Sequence, residues 1–246
     1  MRREFTEPQF CHAAADYYHL LNKGYPEKRT RLLVADHYKL NKTQRTVLYR
    51  GIFSKTVNQS RELKQLYESD LQNNALSIDF LNLVYLVMNY LYGRNLFIAT
   101  DGFLRDDGEN YSHYSSVSLF CKALKLILAV LTVIKPLEID IVIEPQNIPQ
   151  SLLSYTKPEY LSEALNADKT AVHVSSIEAA HRHLKNCGDS VLVSADSRLI
   201  DHHNNKVFDL GHYILDYSYK AEFPDLARII KSNDLSWDPQ ETTCEV

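Results

Sequence analysis

The chain has 246 residues, 45% of them hydrophobic, with only 7 glycines and 8 prolines. That is enough apolar material for one large domain or two small ones, and it excludes low complexity or long disorder. The net charge of −4 is unevenly spread: residues 1–70 hold 13 Lys/Arg against 8 Asp/Glu, residues 71–246 hold 14 against 23, and the window from Lys23 to Lys64 holds 11 against 3.

The first elements are helices. Pro8 to Asn22 carries Phe10, Ala13, Ala14, Tyr17, Leu20 and Leu21 on one face, and Lys23-Gly24 stops it. Pro26 opens a second helix to about Tyr38, and Asn41 with Gln44 forms a capping-box variant for a third, about Lys42 to Phe53. Two short helices joined by a tight polar turn are helix-turn-helix-like. Lys42, Arg45 and Arg50 are the candidate phosphate contacts; a solvated basic face is the plainer alternative. A fourth helix is expected over Arg61 to Gln72.

An alternation of strands and helices follows. It predicts a mostly parallel sheet covered on both faces. The expected order is a strand at Ala75 to Asp79, a helix from Asn82 to Tyr92, a strand from Leu96 to Thr100, and a loop, DGFLRDDGEN. Next come a long helix from Tyr114 to Lys135 and a strand from Leu137 to Glu144. Helices at about Pro158–Ala167 and Ser176–Cys187 lead to a strand ending at Asp196. A short strand at Lys206–Leu210 and a helix at Gly211–Tyr219 close the pattern, and a polar tail follows Lys231. The expected domains are a basic helical unit at 1–73, an α/β unit at 74–231 and a tail at 232–246.

Cys11, Cys121, Cys187 and Cys244 are scattered without a CxxC pair, which suits reduced thiols in a cytoplasmic protein. MRREFTEPQF lacks the apolar core of a signal peptide, and the longest apolar run, around Leu124 to Ile134, contains Lys125 and is short for a bilayer. No membrane association is expected, and the oligomeric state is left open. GxxxxGK[ST], GxGxxG and GxSxG do not occur.

Three apolar strands end in acids: ALSID at Asp79, LEIDIVIE at Glu144 and SVLVSAD at Asp196. A carboxylate at the end of a buried strand is costly unless something compensates it. The carboxyl ends of strands are also where open α/β sheets bind ligands. One shared acidic pocket is therefore expected. For Asp196 a helix cap is the competing role, because Ser197-Arg198-Leu199 follow it. Asp101 follows its own strand in the same manner. Arg105 either holds a phosphate or pairs with Asp106. Asp201 is a further candidate, and Asp209 is expected to be structural. His181 and His183, two apart on a helix, are expected to face different ways, and His202-His203 to lie at the surface.

VLVSADSRLID resembles the fourth-strand motif of PIN-like nucleases, in which Ser or Thr precedes Asp, and SIDFLN resembles their first strand, in which Asn follows Asp by three. GYPEKRTRLLVADHYKLNKTQRTVLYRGIFS, ATDGFLRD and KVFDL resemble an uncharacterised archaeal and bacterial family of unknown function (434-type), in which a basic helical domain precedes a PIN-like one. The resemblance covers about residues 10–219. It implies a three-layer α/β/α domain and metal-dependent hydrolysis of RNA phosphodiesters. Asp79 and Asp196 would be ligands, with Glu144 and Asp201 beside them and Asn82 and Ser194 in support. Mg²⁺ or Mn²⁺ suits such oxygen donors. Ser175 and Ser176 stand where these nucleases carry an acid, with Glu178 one turn displaced, and Glu144 stands where related chains have Asp. The alternative is a PIN-like nucleic-acid-binding or regulatory protein without catalysis; a toxin-like module with a separate inhibitor is a third possibility.

Overall fold

The structure is a computed structural model that describes residues 5–68, 71, 74–108, 112–165, 171–176, 179–204 and 206–233. Glu178, Cys244 and most of the expected tail lie outside the described residues. Four helices come first: α1 (Pro8–Asn22), α2 (Glu27–His37), α3 (Lys42–Gly51) and α4 (Lys55–Glu62). The Asn41/Gln44 capping box of α3 is present in both directions, so two backbone donors that the helix leaves unpaired are satisfied. The fourth helix differs from expectation. It starts behind Ser54, whose hydroxyl accepts from Val57 N, and ends at Glu62. Beyond it the chain runs extended: Leu66 N donates to Val207 O and Val207 N donates to Lys64 O. That pairing takes the backbone groups a longer helix would have needed.

The α/β part contains β1 (Ala75–Asp79), α5 (Phe80–Tyr92), β2 (Leu96–Ile98), β3 (Leu104–Asp106), α6 (Val117–Ile134), β4 (Glu138–Ile143), α7 (Pro158–Leu165), β5 (Ala171–Ser176), α8 (Ala180–Lys185), β6 (Val191–Val193), α9 (Ser197–His202), β7 (Val207–Phe208), α10 (Leu210–Tyr219) and α11 (Leu226–Asn233). Five parallel strands form one sheet in the order β5-β4-β1-β6-β7. The chain therefore builds outward from β1 on one side, returns, and builds outward on the other. The reversal lies between β1 and β6, and the carboxyl end of such a switch point is a natural crevice.

Alternate strand residues serve two cores. Leu76, Ile78, Ile139, Ile141, Ile143, Val191 and Val193 pack with α5, α6 and α10. Val142, Leu192 and Val207 pack with Ala180, Leu184, Leu199 and Ile200 of α8 and α9. A third cluster joins α1, α2 and α3 to Phe97, Ala99, Leu226 and Ile230, so the helical unit includes the C-terminal α11 and touches β2. Gly51 permits that contact: a Cβ there would meet Leu226 Cδ1 at 2.4 Å and Phe97 Cε2 at 2.7 Å.

Four further differences have local causes. DGFLRDD is half strand, because β3 pairs antiparallel with β2 in a hairpin outside the main sheet. β5, AVHVSS, is a half-exposed edge strand whose few apolar residues conceal it. His203 is buried at 2% exposure against Cys187, not at the surface. The apolar run near Leu124 belongs to an 18-residue helix, α6, long and apolar enough to cross a membrane by length and composition. Its Phe120, Ala123, Leu124, Ile127, Val130, Leu131 and Ile134 form one buried stripe against the sheet, the pattern of a helix packed on protein.

Candidate functional site

β1 and β6 lie side by side in register, with Ile78 opposite Val193, and both deliver an acid to the same end of the sheet. Asp79 closes β1, and Asp196 follows β6 across Ser194 and Ala195. Both line a cleft of about 710 Å³ together with Glu144, Asn82, Tyr85, Tyr114, Asn147, His181 and Arg198. The structure thus brings Asp79, Glu144 and Asp196 together, as the three strand ends predict.

Ser194 ties the two aspartates. Its hydroxyl donates to Asp79 Oδ2 at 3.0 Å and accepts from Asp196 N at 3.1 Å. Asp79 stands at the N-cap position of α5 but accepts no side-chain cap bond there. Burial pushes its carboxyl up to about 7; the Ser194 bond and the nearby Asn82 N–H pull it down, and the charges of Asp196 and Glu144 push it up again. Asp79 is thus an under-compensated carboxylate at the floor of a polar cleft, a pattern more common at functional sites than in structural pairs.

Asp196 also fills the competing role. Its Oδ1 accepts from Arg198 N at 2.8 Å, capping α9, while Oδ2 lies 3.4 Å from Arg198 Nη2 and 3.6 Å from His181 Nε2. Glu144 Oε2 accepts a short bond from Asn147 Nδ2. A cap and a ligand need different oxygens, so the roles of Asp196 are compatible.

Other expected site residues lie elsewhere. Asp101 is fully buried between Arg105, at 2.6 and 2.8 Å, and Arg61, at 2.7 Å. Asp201 receives a two-bond fork from Arg61 at 2.7 and 2.8 Å. Neither lines the acidic cleft. Arg105, expected to hold a phosphate or pair with Asp106, is 3% exposed, pairs with Asp101 and also donates to Ala195 O. Its network braces the backbone beside Asp196 instead. Asp209 is structural as expected: it accepts from Leu104 N at 2.6 Å and His212 N at 2.9 Å.

Two of the three expected contacts in the basic helix are engaged within the chain, though their side chains stay 37% and 36% exposed. Arg45 donates to Asp36, to Leu40 O and to Ala35 O, stitching the turn between α2 and α3. Arg50 holds Asp106 through both its carbonyl and its carboxylate. Lys42 remains exposed at the start of α3. Much of the basic count in this window therefore maintains the fold, and replacing all three residues would disturb packing as well as charge.

His183 and His181 do face different partners. His183 Nε2 lies 2.9 Å from Asp140 Oδ2, and Ser175 donates to Asp140 Oδ1 at 2.8 Å, whereas His181 enters the cleft. The cleft residues that sequence reasoning missed are Tyr85, Tyr114, Asn147, His181 and Arg198. Tyr85 carried a signal, since it follows Asn82 by one helical turn.

A cation's fit to the cleft rests on its donors. They include carboxylate and amide oxygens, which suit a hard divalent ion, beside the His181 ring and the Arg198 guanidinium. Among the described residues, no three His, Cys, Asp or Glu side chains close around one point.

Residues 9–64 match a family described as a protein of unknown function (DUF434), and residues 68–213 match one described as a domain of unknown function (DUF5616). An uncharacterised protein of Methanocaldococcus jannaschii is 28% identical over 213 residues, which cover 85% of this chain and 97% of that protein. No solved structure matches the chain. The two matches meet near residue 66, where the helices give way to the chain leading into β1, and fit an uncharacterised two-domain family. With its α/β part spanned by the second match, the chain belongs to the DUF5616 family.

Proposed function

We propose that the protein is a PIN-like, metal-dependent ribonuclease whose active cleft is the acidic crevice between β1 and β6. The observation that carries this reading is the pairing of Asp79 and Asp196 through Ser194 at the switch point, with Glu144 in the same cleft. Asp79, Asp196 and Glu144 would hold Mg²⁺ or Mn²⁺, and the ion would lower the pKa of a bound water and offset charge on the phosphate. Ser194 fixes the Asp79 carboxylate, Asn147 fixes Glu144, and the α9 cap fixes Asp196, so the acids are oriented before substrate arrives. Arg198, with 76% of its side chain exposed beside the cleft, supplies a cation for an incoming phosphate. The exposed basic residues of the helical unit, among them Lys28, Arg29, Lys39 and Lys42, would attract the RNA backbone.

A second reading keeps RNA binding and drops hydrolysis. It is favoured by Ser175 and Ser176 in place of an acid, and by Asp140, which is already engaged by Ser175 and His183. A cleavage assay on single-stranded RNA separates the two. The wild type should cut in Mn²⁺ and not in EDTA, and Asp196→Asn should lose at least about 100-fold in rate, the scale on which losing a charge-stabilising group acts. RNA binding without cutting in either metal would select the second reading.

A further inference from the structure

Two tyrosines line the acidic cleft, and hydrolysis has no use for either hydroxyl. Tyr85 of α5 and Tyr114 of the turn at Ser112–Ser115 stack with ring centroids 4.2 Å apart and planes 13° from parallel. Each ring is anchored at its far end. Tyr85 OH donates to Asn147 O at 3.2 Å, and Tyr114 OH accepts from Asn89 Nδ2 at 2.8 Å. Asn147 is also the residue that holds Glu144, so the same short segment positions a ring and an acid. Burial pushes the Tyr85 phenol up to about 12, and burial raises that of Tyr114 as well, so both stay neutral beside the acids. Both rings are half-buried and both contribute surface to the cleft.

A nearly parallel aromatic pair with fixed rings is a pre-formed stack, and every nucleobase has a π-face that can extend one. Bases within a duplex already have their faces covered, whereas unpaired bases can be splayed onto a protein ring. We propose that Tyr85 and Tyr114 form a stacking subsite for an unpaired nucleobase, set beside the acidic floor. This rests on the proposed action on RNA. Arg198 would then meet the phosphate next to the stacked base.

The test is binding without chemistry. A labelled single-stranded RNA and a duplex of the same sequence are titrated in Ca²⁺ with wild type, Tyr85→Leu, Tyr114→Leu and the two Phe variants. The Leu variants should bind the single strand roughly 5- to 50-fold more weakly, the Phe variants should stay within about 2-fold of wild type, and duplex binding should not change. The Phe variants keep the ring but lose the hydroxyl, and circular dichroism of all four confirms folding. Leu variants that bind the single strand as tightly as wild type would overturn the subsite. So would Phe variants that lose as much as Leu, or a wild type with no preference for single strands. A wild type that binds through these rings but never cuts keeps the subsite and ends the nuclease reading; cutting with ring-independent binding does the reverse.

Discussion

In metal-free buffer, Asp79→Asn should stabilise the protein at pH 8 and not at pH 4. The unfolded carboxyl titrates near 3.8 and the folded one near 7, because burial and the charges of Asp196 and Glu144 disfavour its ionisation. A carboxyl whose pKa is raised on folding adds stability while it is protonated, and loses that contribution as pH rises from about 4 through about 7. The amide cannot ionise, so the variant escapes the loss. It can still accept the Ser194 hydroxyl, so the bond at Oδ2 has a replacement. The gain at pH 8 should be about 2 kcal/mol, after discounting for solvent in the cleft. Thermal melts of both proteins across this range give the crossing. If Asp79 were a structural cap or ion-pair partner, the variant would be less stable at pH 8 than wild type.

The opposite result is expected at Asp101. Burial alone would push this carboxyl up, but Arg105 and Arg61 outweigh burial and hold it below its ordinary value. Asp101→Ala removes the acid between two guanidinium groups with side-chain exposures of 3% and 4%. Removing one partner of a buried pair leaves an uncompensated charge and typically costs about 3–5 kcal/mol. In a chain of this size that lowers the melting temperature by about 10 °C. Asp201→Ala is the comparison: its side chain is 46% exposed, and its loss leaves Arg61 bonded to Asp101. That change leaves two buried Arg61 donors without their partner and should cost about 1–3 kcal/mol, less than Asp101→Ala. Equal destabilisation by the two variants would contradict the central place given to Asp101. The wild-type contribution is present at neutral pH and is lost as pH falls below about 4, the reverse of the Asp79 case.

These contrasts explain what the sequence could reveal. α1 and the capping box of α3 follow from apolar spacing and local side-chain chemistry, both read from neighbouring residues. The strand-end acids were legible because VLV and ALSI are apolar runs broken by a carboxylate at one end. Asp79 and Asp101 look alike in that respect. Only the fold shows that Arg61, 40 residues before Asp101, and Arg105 reach one and neither reaches the other. The pairing inside the basic window was hidden for the same reason: Asp36 and Asp106 come beside Arg45 and Arg50 only in the fold. α11 escaped because its apolar residues find their partners in α1, α3 and β2, far back along the chain. β5 escaped because an edge strand is specified by its neighbour's hydrogen bonds more than by its own apolar pattern.

The most direct measurement is an isothermal titration of Mn²⁺ into wild type and Asp79→Asn at pH 7.5, beside the melts that show both are folded. The account predicts saturable binding to wild type that the variant loses, since a hard cation needs the carboxylate charge that asparagine lacks. Equal binding to both proteins, or none to wild type, would contradict the assignment of this cleft as a metal-dependent site.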